Sequence, residues 1–134
     1  MQRPFFSVII PVFNRAFCIT RCLKSVEMYL EVNSFEVILV DDGSTDNSVD
    51  VIKSIIEDRP EYRLSMLPNN MGVNTARNEA ISLAKGDWLI FLDSDDELCI
   101  SGAEIKKKLS KLKDYELVSF RCKNSSGQVL GPIT

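Results

Sequence analysis

Histidine is absent from the 134 residues of this chain. That removes the side chain whose ordinary pKa lies nearest neutrality, and with it any Ser–His triad or histidine-ligated metal centre within the chain. A basic excess is also missing: 16 Lys and Arg against 19 Asp and Glu leave a net charge of −3, which argues against a nucleic-acid partner drawn in by a bulk positive field. The four cysteines, Cys18, Cys22, Cys99 and Cys122, form no CxxC pair. Cys18 and Cys22 are spaced to share a helical face, so they read as reduced, partly buried thiols rather than a zinc site. That usage fits a cytoplasmic protein. No apolar run approaches the roughly 18 residues of a membrane span, and the N-terminus lacks the basic-then-apolar layout of a secretory signal. Glycine and proline are sparse, at 6 and 5 residues, and no linker, repeat or low-complexity segment interrupts the chain. One domain over residues 1–134 is the economical reading, and it is long enough to bury a core.

What the chain does contain is a series of short apolar runs without polar alternation. "FFSVIIPVF" (5–13), "FEVILVDDGS" (35–44), "YRLSMLP" (62–68), "DWLIFL" (87–92) and "YELVSFRC" (115–122) read as strands. Between them come helical patterns. Ile19, Cys22, Leu23, Val26 and Leu30 mark the first; Val49, Ile52, Ile55 and Ile56 the second, capped by Ser44, Thr45 or Asp46. Val73, Ala76, Ala80, Ile81 and Ala84 mark the third, closed by Lys85-Gly86, and Ile105, Leu109 and Leu112 the fourth. The order β-α-β-α-β-α-β-α-β calls for an α/β fold, a mostly parallel sheet flanked by helices. In the tail, "NSSG" reads as a turn and "QVL" as the start of a further strand.

Ligands of open parallel sheets bind outside the carboxyl ends of the strands. Three clusters fall there: "PVFNR" after the first strand, "DDGSTD" after the second and "DSDDE" after the fourth. In "DSDDE", alternation along an extended segment sends Asp93 and Asp95 to one side. Two hard oxygen ligands suit Mg2+ or Mn2+, with substrate phosphates completing the shell and relieving the carboxylate repulsion; the bland alternative is a solvated acidic turn. A calcium loop is excluded because Leu98 sits where such a loop needs glycine. In "VDDGSTD", capping explains Ser44 to Asp46 and leaves Asp41 and Asp42 over; a carboxylate there can accept from a base or a ribose hydroxyl. Arg77 in "NNMGVNTARNEA" either holds a phosphate or base edge or pairs with a surface acid such as Glu79. Lys106, Lys107, Lys108, Lys111 and Lys113 read as a solvated helix face, with contact to anionic lipid as the alternative.

"FSVIIPVFNR", "VILVDDGSTDNS" and "NNMGVNTARNEAISLAKGDWLIFLDSDDE", in this order and spacing, resemble family-2 glycosyltransferases of the GT-A fold. The resemblance covers residues 5 to 98 closely and continues more loosely to 122. It implies a Rossmann-like nucleotide-binding half and an inverting transferase that uses a nucleotide-diphosphate sugar, chiefly a UDP-sugar, with a divalent metal. By motif position, Pro11, Val12, Phe13 and Asn14 would border the nucleoside, and Asp42 would read the base with Asp41 beside it. Arg77 would lie near the nucleotide. Asp93-Ser94-Asp95 matches the D-x-D motif, with Asp95 the direct metal ligand, Asp93 toward ribose or metal, and Asp96 adjacent. Two departures are Phe13, where tyrosine is common, and Ala16, where an acidic residue is frequent; the second bears on a donor contact.

The family's base, which deprotonates the acceptor hydroxyl, comes well past the D-x-D motif. Here only Glu104, Asp114 and Glu116 follow Glu97, none in a matching motif. The expectation is therefore a donor-binding half, with the catalytic base and the site for a saccharide or lipid-linked acceptor beyond Thr134. Its place would be the cytoplasm or the inner face of a membrane. Two rival readings are a signalling receiver domain, with "ILVDDGS" as its acidic pair and Asp93 as phospho-acceptor, and a non-catalytic nucleotide-binding module.

Overall fold

β-Branched and leucine side chains crowd the first two strands, and both are sandwiched between layers. The computed structural model of the protein describes residues 3–111, 122, 123, 129 and 130. Within it, β1 (Phe6–Val12), β2 (Phe35–Asp41), β3 (Tyr62–Met66) and β4 (Trp88–Phe91) form one parallel sheet in the order β3-β2-β1-β4. The helices α1 (Ile19–Tyr29), α2 (Ser48–Ile56), α3 (Val73–Leu83) and α4 (Gly102–Ser110) connect and follow these strands. β1 and β2 pair in register from Phe6 with Phe35 to Val12 with Asp41, which brings their carboxyl ends to one level. Every fully parallel pairing here requires a crossover, and the helices supply it.

Alternation along the central strands fills two layers. Phe6, Val8, Ile10, Val12, Val37 and Leu39 join Ile19, Cys22, Leu23 and Val26 of α1 and Ile52 of α2 on one face. Ile9, Ile38 and Val40 meet Ala76 and Ala80 of α3 on the other. The small alanines let α3 lie close to the sheet. Ile9, Ile38 and Val40 are fully buried, and truncating Ile9 or Ile38 to Ala removes about 2–5 kcal/mol of stability.

Three sequence expectations change in detail. β4 is not buried on both faces: Trp88 and Ile90 pack on the large core, whereas Leu89 and Phe91 are 37% and 50% exposed. It stands at the margin of the four-stranded sheet, where α3 covers β1 and β2. In α3, Val73 and Ile81 point outward and Leu83 and Ala84 take the inner face with Ala76 and Ala80. In α2, Val51 packs against the core together with Ile52, Ile55 and Ile56, and Val49 is not part of that layer.

α4 begins at Ser101, whose hydroxyl accepts from the Glu104 N–H at 3.1 Å, satisfying one orphan donor of the first turn. Its Ile105 and Leu109 are buried as expected, while Lys107, Lys108 and Lys111 are solvated. Lys106 instead lies over the Phe5 ring, 4.9 Å from its centroid. Leu112, Lys113 and residues 115–121 of the fifth expected strand lie outside the described residues. Cys122–Lys123 and Val129–Leu130 form a separate antiparallel pair, β5 and β6, in keeping with a strand starting at "QVL". No described helix is long and apolar enough to cross a membrane.

Candidate functional site

The parallel register places the segments after β1, β2 and β4 along one edge of the sheet. They enclose a cavity of about 290 Å3 lined by Pro11, Val12, Phe13, Arg15, Asp42, Val73, Arg77, Asp93, Ser94 and Asp95.

Two turns shape its floor. Asn14 adopts a left-handed conformation at φ 53°, which asparagine tolerates better than most residues. Its side-chain oxygen accepts from the backbone N–H groups of Thr45 and Asp46 at 2.7 and 3.2 Å, and its own N–H donates to the Ser44 hydroxyl at 2.9 Å. Asn14 therefore clips the β1 turn to the β2 turn and does not line the cavity. Gly43, at φ 77°, is required twice over, because a Cβ there would lie 2.6 Å from the Asn70 nitrogen.

The acidic pair that ends β2 divides its work. Asp41 turns into its own loop and accepts from the Ser44 N–H at 3.0 Å and the Ser44 hydroxyl at 2.5 Å. Asp42 reaches across to the loop before α3 and accepts from the N–H groups of Met71 and Gly72 at 2.6 and 3.0 Å. Both are buried, and of the two only Asp42 lines the cavity. Asp46 accepts from the N–H and hydroxyl of Ser48 and from the Ala16 N–H. The N-cap of α2 is Asn47, without a side-chain cap bond, so none of Ser44, Thr45 and Asp46 is the cap: Asp46 supports the helix entrance from one residue earlier, while Ser44 and Thr45 face Asn14 and Asp41. The Ser48 hydroxyl, opposed by burial and aided by the backbone N–H groups of Ser48, Ala16 and Asp46 itself, holds the Asp46 carboxyl below its ordinary value.

After β4 the chain does not stay extended. The Asp96 N–H donates to the Asp93 carbonyl at 2.9 Å, closing a turn over 93–96. Asp93 and Asp95 do converge, but through this turn rather than through strand alternation. The turn also swings Asp96 into the group: one carboxylate oxygen from each of Asp93, Asp95 and Asp96 lies within 4.8 Å of the others. Burial first, and then the neighbouring Asp95 and Asp93, raise the Asp96 carboxyl above its ordinary value. Three exposed carboxylates at this separation repel one another, and a hard divalent cation with oxygen ligands would relieve that. Arg77, from the first turns of α3, already offsets part of the charge by donating to Asp93 at 3.1 Å. Its acid partner is Asp93, not Glu79.

α1 holds the backbone of this acidic loop from below. The Cys18 thiol faces the Ser94 carbonyl at 3.5 Å and the Cys22 thiol the Asp93 carbonyl at 3.7 Å. Ser25 accepts from the Leu98 N–H at 2.8 Å and donates to the Cys22 carbonyl at 2.6 Å. Burial, with smaller contributions from Cys18, Asp96, Asp95 and Glu97, pushes the Cys22 thiol up to about 12. It remains a protonated donor, as the reduced-thiol reading expects of Cys18 and Cys22.

The cavity at the carboxyl edge of the parallel sheet is thus bounded by Arg15, Arg77, Asp42, Asp93 and Asp95. The glycosyl transferase family 2 model matches residues 7–124. The chain belongs to that family. It is 36% identical over 118 residues to an uncharacterized glycosyltransferase of Haemophilus influenzae, covering 88% of this chain and 46% of that protein. It is 40% identical over 114 residues to the chondroitin synthase of Pasteurella multocida, covering 85% of this chain and 12% of the synthase. Among solved structures it resembles S. aureus TarS 1-349 in complex with UDP, with a TM-score of 0.71 and 30% identity over 80% of this chain and 32% of that one. The chain thus spans less than half the length of these relatives. The sheet and its flanking helices are the GT-A type expected from the motifs, and family membership decides against the receiver reading.

Set against the expected site of such a family member, Pro11, Val12, Phe13, Asp42, Arg77, Asp93, Ser94 and Asp95 come together around one cavity, while Asn14 and Asp41 stand behind it. Three residues are additional. Arg15 and Val73 line the cavity, and Asp96 joins the acid triad. Asp96 was legible as a neighbour of the motif and Arg15 as the last residue of the "PVFNR" cluster, though the sequence assigns it no role; Val73 carried no local signal beyond opening a helix.

Proposed function

We propose that this chain is the donor-binding part of an inverting glycosyltransferase, taking a nucleoside-diphosphate sugar, with UDP-sugars foremost, together with Mn2+ or Mg2+. The observation that carries the reading is the convergence of Asp93, Asp95 and Asp96 beside a cavity that also holds Arg15, Arg77 and Asp42, within a chain of glycosyl transferase family 2. The likeness to a TarS structure holding UDP supports the choice of nucleotide.

In this reading Asp95 and Asp93 hold the cation, with Asp96 completing the acid face. A cation bound there supplies electrostatic stabilisation to the departing diphosphate. Pro11, Val12 and Phe13 form an apolar wall for the nucleoside. Asp42, with each oxygen already accepting one N–H, retains a lone pair on each for a donor of the base or ribose. Inversion needs a carboxylate that takes the acceptor proton from the opposite side of the sugar. The acids lining the cavity are committed to the cation or to Asp42's loop, and Glu104 sits on the exposed first turn of α4 away from the lining. Asp114 and Glu116 lie outside the described residues. The reading therefore assigns the base and the saccharide or lipid-linked acceptor site to polypeptide other than the described residues.

The test is thermal stabilisation by UDP and GDP with and without Mn2+ or Mg2+. A ligand at 100 times its Kd adds about 2.7 kcal/mol of stability, a readily measured rise in Tm. Metal-dependent stabilisation that disappears in Asp95→Ala is the expected result. Stabilisation by neither nucleotide with either metal would remove the donor reading and leave a non-catalytic module.

A further inference from the structure

The arginines of the described residues fall into two groups. Arg3, Arg21, Arg59 and Arg77 each pair with a carboxylate, those of Asp87, Glu97, Glu27 and Asp93 respectively. Arg15 and Arg63 do not; Arg63 is solvated on the edge strand β3, whereas Arg15 is half-buried in the cavity wall. A partly desolvated guanidinium without a counter-charge is the less common case, because burial of a charge is costly unless it is paired.

The root of Arg15 is held firmly. Its N–H donates to the Ser48 hydroxyl at 2.8 Å, and its carbonyl accepts from the N–H groups of Cys18 and Ile19 at 3.0 and 2.9 Å at the entrance of α1. The left-handed turn at Asn14 immediately precedes it. The head, by contrast, makes one long contact, from Nη1 to the Asn14 carbonyl at 3.4 Å. A fixed backbone thus carries a cationic fork whose donors are nearly all free, facing a cavity whose other cation, Arg77, is engaged by Asp93.

We infer that Arg15 is the diphosphate-binding cation of this site: its guanidinium receives the phosphate oxygens of the donor nucleotide that face away from the acid triad. This rests on the nucleotide-donor reading above and adds the residue that recognises the phosphates. The chemistry is the planar fork of arginine meeting phosphate oxygens, geometry a lysine ammonium reproduces only as a point charge. The acid triad alone would repel a diphosphate; a cation brought in by the acids attracts it from one side and Arg15 from the other.

The experiment titrates wild type, Arg15→Ala, Arg15→Gln and Arg15→Lys with UDP and GDP in the presence of Mn2+ by calorimetry. Uridine and guanosine at millimolar concentration are followed in parallel by ligand-detected NMR. Loss of charge-assisted hydrogen bonds predicts a roughly ten- to hundred-fold weaker diphosphate Kd in Arg15→Ala and Arg15→Gln. Arg15→Lys should recover part of it, and the nucleoside signal should be unchanged. Arg15→Gln keeps most of the side-chain packing, so it decides the matter if Arg15→Ala lowers the Tm of the free protein. Unaltered diphosphate affinity in a folded Arg15→Gln overturns the inference, as does an equal loss for nucleoside and diphosphate. Failure of wild type to bind any nucleoside diphosphate would instead bring down the donor reading itself.

Discussion

Asp42 offers the sharpest test of how this site is built, because it belongs both to the fold and to the cavity wall. Its two oxygens accept the backbone N–H groups of Met71 and Gly72 at 2.6 and 3.0 Å, and the side chain is buried. Hydrogen bonds to a charged acceptor are each worth about 1.5–3 kcal/mol, and a buried donor left unpaired costs a similar amount. Asp42→Ala strands both N–H groups, but loop relaxation and water entry recover part of the loss, so the net destabilisation should be about 2–4 kcal/mol. For a domain of this size that corresponds to a Tm lower by roughly 6–16 °C. Asp42→Asn keeps one acceptor oxygen and turns an amide N–H toward a backbone N–H, so it should lose about half as much. Urea denaturation followed by circular dichroism measures both variants, and a constant m-value confirms that the difference lies in stability. If Asp42→Ala unfolds within about 0.5 kcal/mol of wild type yet no longer binds nucleotide, the carboxylate is a ligand contact and not the tie between β2 and α3, and the reasoning fails.

Two further predictions concern the neighbours of the site. Ser25→Ala leaves the buried Leu98 N–H without its acceptor and should cost about 1–3 kcal/mol; because Ser25 steadies the loop carrying the acid triad, Mn2+ titration should also show weaker binding, and unchanged stability would refute the role given to α1. Asp46 has a carboxyl held below its ordinary value, chiefly by Ser48. Its stabilising contribution is therefore complete above the unfolded carboxylate range, about pH 4, and is lost as pH falls through the lower folded value. Thermal melts should show wild type more stable than Asp46→Asn near neutrality, with the gap closing in acid; a gap that persists or widens in acid contradicts the assignment.

Most of the fold was legible because β1 and β2 are covered on both faces, and uninterrupted apolar runs such as "SVIIPV" record that directly. β4 misled because "WLIF" has the same composition. Whether a strand is covered depends on where the helices land, and α3 lands on β1 and β2. The same limit explains α3, where Ala76 and Ala80 allow close approach and the larger Val73 and Ile81 are turned outward. At the site, the positions of the acids were legible and their geometry was not. A turn closed by Asp96 and Asp93 cannot be distinguished from an extended segment by spacing alone.

The residues at "DDG" show why local pattern stops short of function. Asp41 and Asp42 are adjacent and chemically identical, and successive side chains at a strand end point to opposite faces. Asp41 consequently meets its own turn at Ser44, three residues away, while Asp42 meets Met71 and Gly72 across the sheet edge, about thirty residues away. Asn14 is a parallel case, with its partners at Thr45 and Asp46. Polar residues next to a cavity have two competing demands on their lone pairs, and contacts distant in sequence decide which prevails. Asp41 and Asn14 spend their side-chain oxygens on the turns that follow β1 and β2 and are not among the lining residues, so they shape the cavity from behind. Asp42 and Arg15 line the cavity and keep capacity unspent, one bond on each Asp42 oxygen and a single long contact at the Arg15 head, so lining and unclaimed hydrogen-bonding capacity together identify the groups available to a ligand.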